Sequence, residues 1–441
     1  MANRLILRKQ PIKSQKEKRS LSFHLILFLL ASIALFSVVL VKSKTAAEFF
    51  SDPLLLFYTV FVTTFELSRI LASFLFRYST SRITQREIGV YEPSVSFVIP
   101  CKNEEQAIRK TVSECFAVNY PPEKLEVIVV NDGSSDGTGA ILETLKPQFS
   151  SLIVVNWAEN QGKRHAMAEG FRLAKGEIVI QLDSDSYIRP DTFRNIIEPF
   201  RNPRVGAVSA HTEPANAGEN FITKMQTAYY FVSFRILKAA ESTFLHVFCC
   251  SGCASAYRKS IVLPILDKWL EERFLGAPVT WGDDRALTNW VLRLNFHTIY
   301  SDSVRAYTVV PNTLYKFIRQ QVRWKKGWFV NSLFLSKFIV KKDAFVAFTY
   351  FFPLFFITLM TPFIAIRAFV YNPIVHGVSP LFYVLGMFLI ALLVTLAYRY
   401  FERENKYWPY VFAWAGLNMI LLSFILFYAI FRLRDRRWGT R

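Results

Sequence analysis

The chain reads as an α/β domain with a mostly parallel sheet, inserted between N-terminal and C-terminal transmembrane helices. Three observations predict this. Long apolar stretches flank a polar middle, short β-rich runs in that middle alternate with helical segments, and acidic clusters stand where the runs end. With 441 residues there is room for two or three domain-sized units, and the 52% hydrophobic content is high for a soluble protein and unevenly spread.

Leu21 to Val41 is apolar apart from His24, and about 20 residues suffice to span a bilayer. Arg4, Arg8, Lys9, Lys13, Lys16, Lys18 and Arg19 precede it, which places the N-terminus inside. No small-residue cleavage site follows, so no removed signal peptide is expected. A second stretch, Pro53 to Phe76, returns the chain to the cytosol. It carries Glu66 and Arg69, which either face protein or a polar path, or pair locally.

In the middle, Ser94–Pro100, Leu125–Val130, Leu152–Val155 and Ile178–Leu182 read as strands, separated by helical stretches such as Glu104–Val118 and His165–Leu173. Short continuous apolar strands alternating with helices indicate a parallel sheet covered on both faces. Ligands of such sheets sit at the carboxyl ends of the strands, where Asn131-Asp132 and Asp183-Ser184-Asp185 stand. Phe221–Phe244, with Tyr229, Tyr230, Phe231 and Phe234, reads as an amphipathic helix on the membrane surface, as does Leu314–Phe334, with Lys316, Arg319, Arg323, Lys325 and Lys326. An ordinary core helix is the alternative for both.

Three apolar stretches follow: Ala344–Tyr371, Leu381–Tyr398 and Tyr410–Phe431. Five full spans would put Arg432, Arg434, Arg436, Arg437 and Arg441 outside, against the positive-inside tendency. The expectation is therefore that one stretch is re-entrant, or that Trp328–Val340 crosses, and that the tail is cytosolic. The divisions expected are 1–90 for the basic N-terminus and two spans, 91–310 for a cytosolic catalytic domain, 311–343 for interface helices, and 344–441 for the remaining spans and basic tail.

The net charge of +19 is crowded beside the apolar ends, where it suits the anionic cytoplasmic leaflet and membrane lipids. No nucleic-acid partner is expected, because the polar middle has no basic stripe interleaved with aromatics. Five cysteines, an odd count, provide no disulfide framework, and all lie in the segment assigned to the cytosol, where thiols stay reduced. Cys250 and Cys253 lack the second pair or histidines that a zinc site needs.

Asp183 and Asp185, one residue apart at a strand end, can reach a divalent cation that a diphosphate also holds. Hard oxygen ligands suit Mg2+ or Mn2+. Asp132, opening Asp132-Gly133-Ser134-Ser135-Asp136, is either a turn residue or a carboxylate accepting from a base or ribose. Pro100 to Glu105 fits the opposite wall of that nucleotide pocket. Lys163 and Arg164 add cations where phosphates would lie, unless they are a solvated helix start. A hydroxyl attacking a carbon that bears a diphosphate needs a base. Asp284 in Gly282-Asp283-Asp284-Arg285 is the choice, with Asp283 supporting it or pairing with Arg285; a helix N-cap with a first-turn acid fits the same residues. Gln320, Arg323 and Trp324 share one helical face by i, i+3, i+4 spacing. Arg323 can hold diphosphate bidentately, and Trp324 offers a flat ring for a sugar.

The ordered set Val129–Ser134, Asp183-Ser184-Asp185, Ser251–Arg258, Gly282–Asn289 and Gln320-Gln321-Val322-Arg323-Trp324 resembles the processive family 2 glycosyltransferases, most of all bacterial hyaluronan synthases and chitin-oligosaccharide synthases. Phe274–Arg285 and Trp438-Gly439-Thr440-Arg441 are similar to the hyaluronan synthase pattern. The resemblance covers roughly residues 94–441. It implies a GT-A (Rossmann-like) catalytic domain, UDP-sugar donors, Mg2+ or Mn2+, and a growing polysaccharide acceptor extruded through the enzyme's own helices. UDP and metal roles then fall on Asp132, Asp183 and Asp185, base catalysis on Asp284, and acceptor or diphosphate contacts on Gln320, Arg323 and Trp324. Three departures stand out. Lys102 replaces a frequent Tyr, Lys325-Lys326-Gly327-Trp328 replaces a more polar Ser-containing run, and Cys253-Ala254 replaces Pro-Leu. They lie near the acceptor end and bear on which polymer is made. Hyaluronan is the leading product and a chitin-like or poly-N-acetylglucosamine chain the second. A lipid-phosphate sugar transferase and a transporter with a nucleotide-binding regulatory domain are the rival classes.

Overall fold

A computed structural model describes residues 12–48, 52–83 and 89–435. In chain order its strands are β1 (Val95–Cys101), β2 (Leu125–Asp132), β3 (Leu152–Trp157), β4 (Ile178–Gln181), β5 (Ser186–Ile188), β6 (Val205–Pro214), β7 (Ser255–Arg258), β8 (Arg273–Phe274), β9 (Ala277–Pro278) and β10 (His297–Thr308). Eight form one sheet in the order β3-β2-β1-β4-β7-β6-β10-β5, while β8 and β9 make a small ribbon.

The parallel pairing that the apolar runs predict holds for β1 with β2 and β4, and for β2 with β3. Every residue of β1 is buried, because helices cover both faces. Alternate residues Val95, Phe97 and Ile99 pack with Ile108 and Val112, while Val98 meets Ala166, Met167 and Phe171 on the other side. Beyond β4 the sheet is mixed. β7 runs antiparallel between β4 and β6, because the chain leaves the sheet after β6, forms the helical stretch 221–243, and comes back at the carboxyl end of β4. The turn before β7 thus lands among the strand tips.

Stretch 221–243 opens with a reciprocal cap: Thr223 N donates to Asn220 Oδ1 (3.1 Å) and Asn220 N to Thr223 Oγ1 (3.0 Å). Its middle, Val232–Lys238, is a wider π-helical turn. Its aromatic residues meet the membrane helices: Phe231 stacks on Tyr398 at 3.8 Å and Tyr229 on Trp414 at 4.0 Å.

Among the described residues, five helices are long and apolar enough to cross a membrane: Leu25–Lys44, Pro53–Ile83, Ala344–His376, Leu381–Phe401 and Tyr410–Phe431. Helices of this kind stand on both sides of the catalytic domain, and Trp328–Val340 is not one of them. Arg69 faces protein, its guanidinium 4.1 Å from the Tyr350 ring centroid. Arg77 Nη2 pins the end of the second helix to Asp302 on β10 at 2.6 Å. After the fourth helix, Glu402 bonds Arg305 of β10 at 2.7 Å. The last helix starts beside that contact, with Tyr410 on Phe221 (5.6 Å). Its far end also meets the catalytic domain: Leu433 packs against Val279 and Trp281, and Lys326 Nζ donates to Asp435 O at 2.8 Å. Both ends of this helix therefore touch residues of the stretch 221–336. Arg4, Arg8, Lys9, Arg436, Arg437 and the Trp438–Arg441 motif lie outside the described residues.

Candidate active site

The crevice is built by strand tips that interlock. The loop after β1 grips the loop after β2: Asn103 Oδ1 accepts from Ser135 N (2.8 Å), and Glu105 Oε2 from Gly137 N (2.9 Å). Asp132 ends β2 buried, its carboxylate accepting from Gln161 N at 2.6 Å and Gly162 N at 3.0 Å. It therefore holds the loop that launches the helix Lys163–Leu173.

That helix start supplies two cations with different fates. Lys163 Nζ bonds the Asp183 carboxylate. Burial pulls its pKa down, but Asp183, Asp284 and Asp283 outweigh this and hold it charged. Arg164 is not brought to the crevice, contrary to the expectation of a phosphate cation. It is buried, donating to Asp283 Oδ1 (2.7 Å), Glu272 Oε2 (2.9 Å) and Trp269 O (3.0 Å). Successive helical residues turn by about 100°, so when Lys163 faces the crevice Arg164 faces the core. Asp283 accordingly pairs with Arg164 rather than Arg285, which donates to Phe248 O at 3.5 Å. Breaking a buried ion pair costs about 3–5 kcal/mol. Arg164→Met should lower the unfolding free energy by that order in a denaturant titration, while Lys163→Met, which breaks a less buried pair with Asp183, should cost less stability and weaken nucleotide binding.

Asp284, one residue on, faces the crevice. Its Oδ1 accepts from Gln181 Nε2 at 2.7 Å and its Oδ2 from Gly252 N at 2.8 Å. Burial raises its pKa, Lys163 pulls it down, and Asp183 and Asp283 push it up, with a net rise. Gly252 touches Asp183 as well, whose backbone N donates to Gly252 O at 2.8 Å. A Cβ at Gly252 would lie 2.8 Å from Gln181 Nε2 and 2.9 Å from both Asp183 Oδ1 and Asp284 Oδ1. That one position measures how closely the carboxylates gather. Asp185 Oδ1 accepts from Ser186 Oγ and Thr308 Oγ1, each at 3.2 Å. Burial, then Asp183, Asp185 and Asp284, push the Cys253 thiol well up, so it stays protonated.

The helix Leu314–Ser336 closes the crevice against Asp283–Arg293. The contact is backbone on backbone: Gly282, at φ +75°, would place a Cβ 2.7 Å from Gly327 Cα. Only glycine serves there. Gln320 is buried and its Oε1 has no hydrogen-bond partner among the described residues. Trp324 lies on the same helix, its ring 6.1 Å from Tyr229. Thus Asp183, Asp284 and Lys163 meet directly, Asp185 stands on the same strand tip as Asp183, Asp132 ends β2 on the far side of β1, and the helix bearing Gln320, Arg323 and Trp324 packs against the helix of Asp284. The sequence reading missed Gln181, Gly252, Glu272 and Lys238, which donates to Ser251 Oγ at 3.0 Å. Only Ser251-Gly252 carried a motif signal.

The family model Glycosyl transferase family 2 matches residues 96–265. The chain is 30% identical to a hyaluronan synthase of Streptococcus pyogenes serotype M1 over 371 residues, 80% of this chain and 86% of that protein. It is 32% identical to an N-acetylglucosaminyltransferase of Rhizobium meliloti (strain 1021) over 260 residues, 58% of this chain and 60% of that protein. Among solved structures, the mannosyltransferase PcManGT from Pyrobaculum calidifontis, in complex with GDP-Man and Mn2+, superposes with a TM-score of 0.56 at 21% identity, covering 86% of this chain and 99% of that one.

Proposed function

Because the chain belongs to glycosyl transferase family 2 and is a glycosyltransferase of GT-A-like fold, we propose that it polymerises UDP-sugars into a β-linked polysaccharide, with inversion, and passes the product across the membrane between its own helices. The observation that carries this reading is the meeting of Asp183, Asp284 and Lys163 around Gly252, closed by the Gly282–Gly327 contact with the helix of Gln320, Arg323 and Trp324. In this reading residues 91–310 are the catalytic domain on the cytosolic side, 311–343 the interface helices, and the tail stays cytosolic because the last helix is re-entrant. Hyaluronan is the first product proposed, since the similarity to hyaluronan synthase runs over 80% of the chain. A chitin-like polymer is second, on the shorter match to N-acetylglucosaminyltransferase.

In the mechanism proposed, Asp284 takes the proton of the acceptor hydroxyl as its oxygen attacks the anomeric carbon opposite the diphosphate. Lys163 and Arg323 face the charge that gathers on the leaving diphosphate. Trp324 stacks an acceptor sugar and Gln320 offers it a hydrogen-bond acceptor. The donor set fits a hard divalent cation: two carboxylates on one strand tip, hydroxyls braced against Asp185, and a protonated Cys253 that offers no thiolate. Asp183 and Asp185 would hold Mg2+ or Mn2+, which supplies charge neutralisation to the diphosphate when bound.

Asp185→Asn should weaken metal-dependent UDP binding by about 10-fold or more, the scale on which disturbing a metal's surroundings costs affinity. Titration calorimetry with and without the cation checks this. The product is tested by incubating purified protein with each UDP-sugar singly and in pairs, then digesting with linkage-specific hydrolases. Long polymer made only from paired UDP-N-acetylglucosamine and UDP-glucuronate supports hyaluronan; polymer from UDP-N-acetylglucosamine alone supports the second reading. A single sugar on lipid would sink both.

A further inference from the structure

We propose that Gln181 is the positioning residue of the base, fixing the plane of the Asp284 carboxylate so that one lone pair is presented to the acceptor hydroxyl. The inference rests on the reading of Asp284 as that base.

A carboxylate in the first turn of a helix can rotate about two side-chain bonds, and one hydrogen bond leaves its plane free. Asp284 has a donor on each oxygen: Gly252 N on Oδ2 at 2.8 Å and Gln181 Nε2 on Oδ1 at 2.7 Å. Two donors on two oxygens define a plane. Gln181 is well placed to be the fixed end. It is the last residue of β4 and fully buried. Its backbone is registered on both sides, opposite Val98 of β1 and Ser255 of β7. Ser255 Oγ also donates to Ser251 O at 2.7 Å, which steadies the turn carrying the other donor. Gln181 Oε1 is buried with no hydrogen-bond partner among the described residues; its Nε2 also reaches Met167 Sδ at 3.7 Å, a weak acceptor, so the short bond to Asp284 is what sets the amide. The reverse setting would aim an acceptor at an ionised carboxylate. A buried amide left half-satisfied costs stability, which is sensible where its other half orients a reacting group.

Misplacing a reacting group by about 1 Å costs on the order of 10²-fold in rate. Gln181→Met keeps the volume and removes the donor, and Gln181→Glu keeps the shape but sets a second carboxylate against the first. Each should lower kcat by about 10- to 100-fold, with KM for the UDP-sugar and the Kd for UDP unchanged. Wild-type kcat in Gln181→Met would overturn the proposal. So would a fall in kcat accompanied by an equal loss of UDP affinity, which would place the residue's effect on the donor side. Asp284→Asn is measured alongside. If that variant transfers sugar normally, the assignment of the base fails; if it is inactive while Gln181→Met is normal, this inference alone fails.

Discussion

Asp284→Asn abolishes sugar transfer, by about 10³-fold, and leaves UDP affinity unchanged. Asn keeps the shape and one acceptor oxygen, so it can accept from Gly252 N while the Gln181 amide turns to accept from its Nδ2, but it cannot take a proton. The carboxylate it replaces is bonded to Gly252 N and Gln181 Nε2, neither of which is a nucleotide contact. Folding should not suffer. Burial, with Asp183 and Asp283, raises the pKa of Asp284 against the pull of Lys163, so holding the carboxylate ionised costs more in the fold than in water, and a neutral isostere lessens that cost. Transfer of labelled sugar, calorimetric UDP binding and a melting curve together check this. Loss of UDP binding would mean that Asp284 belongs to the donor site.

Gly252→Ala should be as damaging by a different route. The added methyl would stand 2.8 Å from Gln181 Nε2 and 2.9 Å from the Oδ1 atoms of Asp183 and Asp284, distances that real methyl contacts do not reach. None of the three can swing away cheaply: Gln181 is bonded to Asp284, and Asp183 is held by Lys163 and by the backbone at Gly252. The carboxylates must separate, so transfer should fall by about 10²-fold or more and metal-dependent UDP binding should weaken with it. That joint loss separates this variant from Asp284→Asn. Gly416→Ala, where a Cβ meets nothing within 4 Å, should retain full activity and serves as the control.

The legible parts of the fold were those in which burial leaves a continuous trace. β1, β2 and β4 are buried almost throughout, so their apolar runs showed in the sequence with the acidic tips Asp132 and Asp183, and the half-buried edge strand β3 carries a shorter run of the same kind. β5, β6, β7 and β10 were not read as strands. The reversal of β7 follows from where stretch 221–243 returns the chain, a non-local event with no local pattern. The neighbouring pairs Lys163-Arg164 and Asp283-Asp284 show the same limit at the site. Sequence adjacency suggested shared roles, yet a helix turns neighbours apart, and Arg164 with Asp283 forms a buried pair at 2.7 Å behind the crevice. Gln181 and Gly252 were missed because their contacts to Asp284 join residues 103 and 32 positions apart.

The central claim is that one crevice both joins the sugars and feeds the product between the membrane helices. Sealed vesicles bearing the protein with its catalytic domain outward, supplied with UDP-sugars from outside, test it most directly. The account predicts long polymer inside the vesicles, resistant to added hydrolase until detergent is present. Polymer digested without detergent, or label found only as single sugars on lipid, would contradict it.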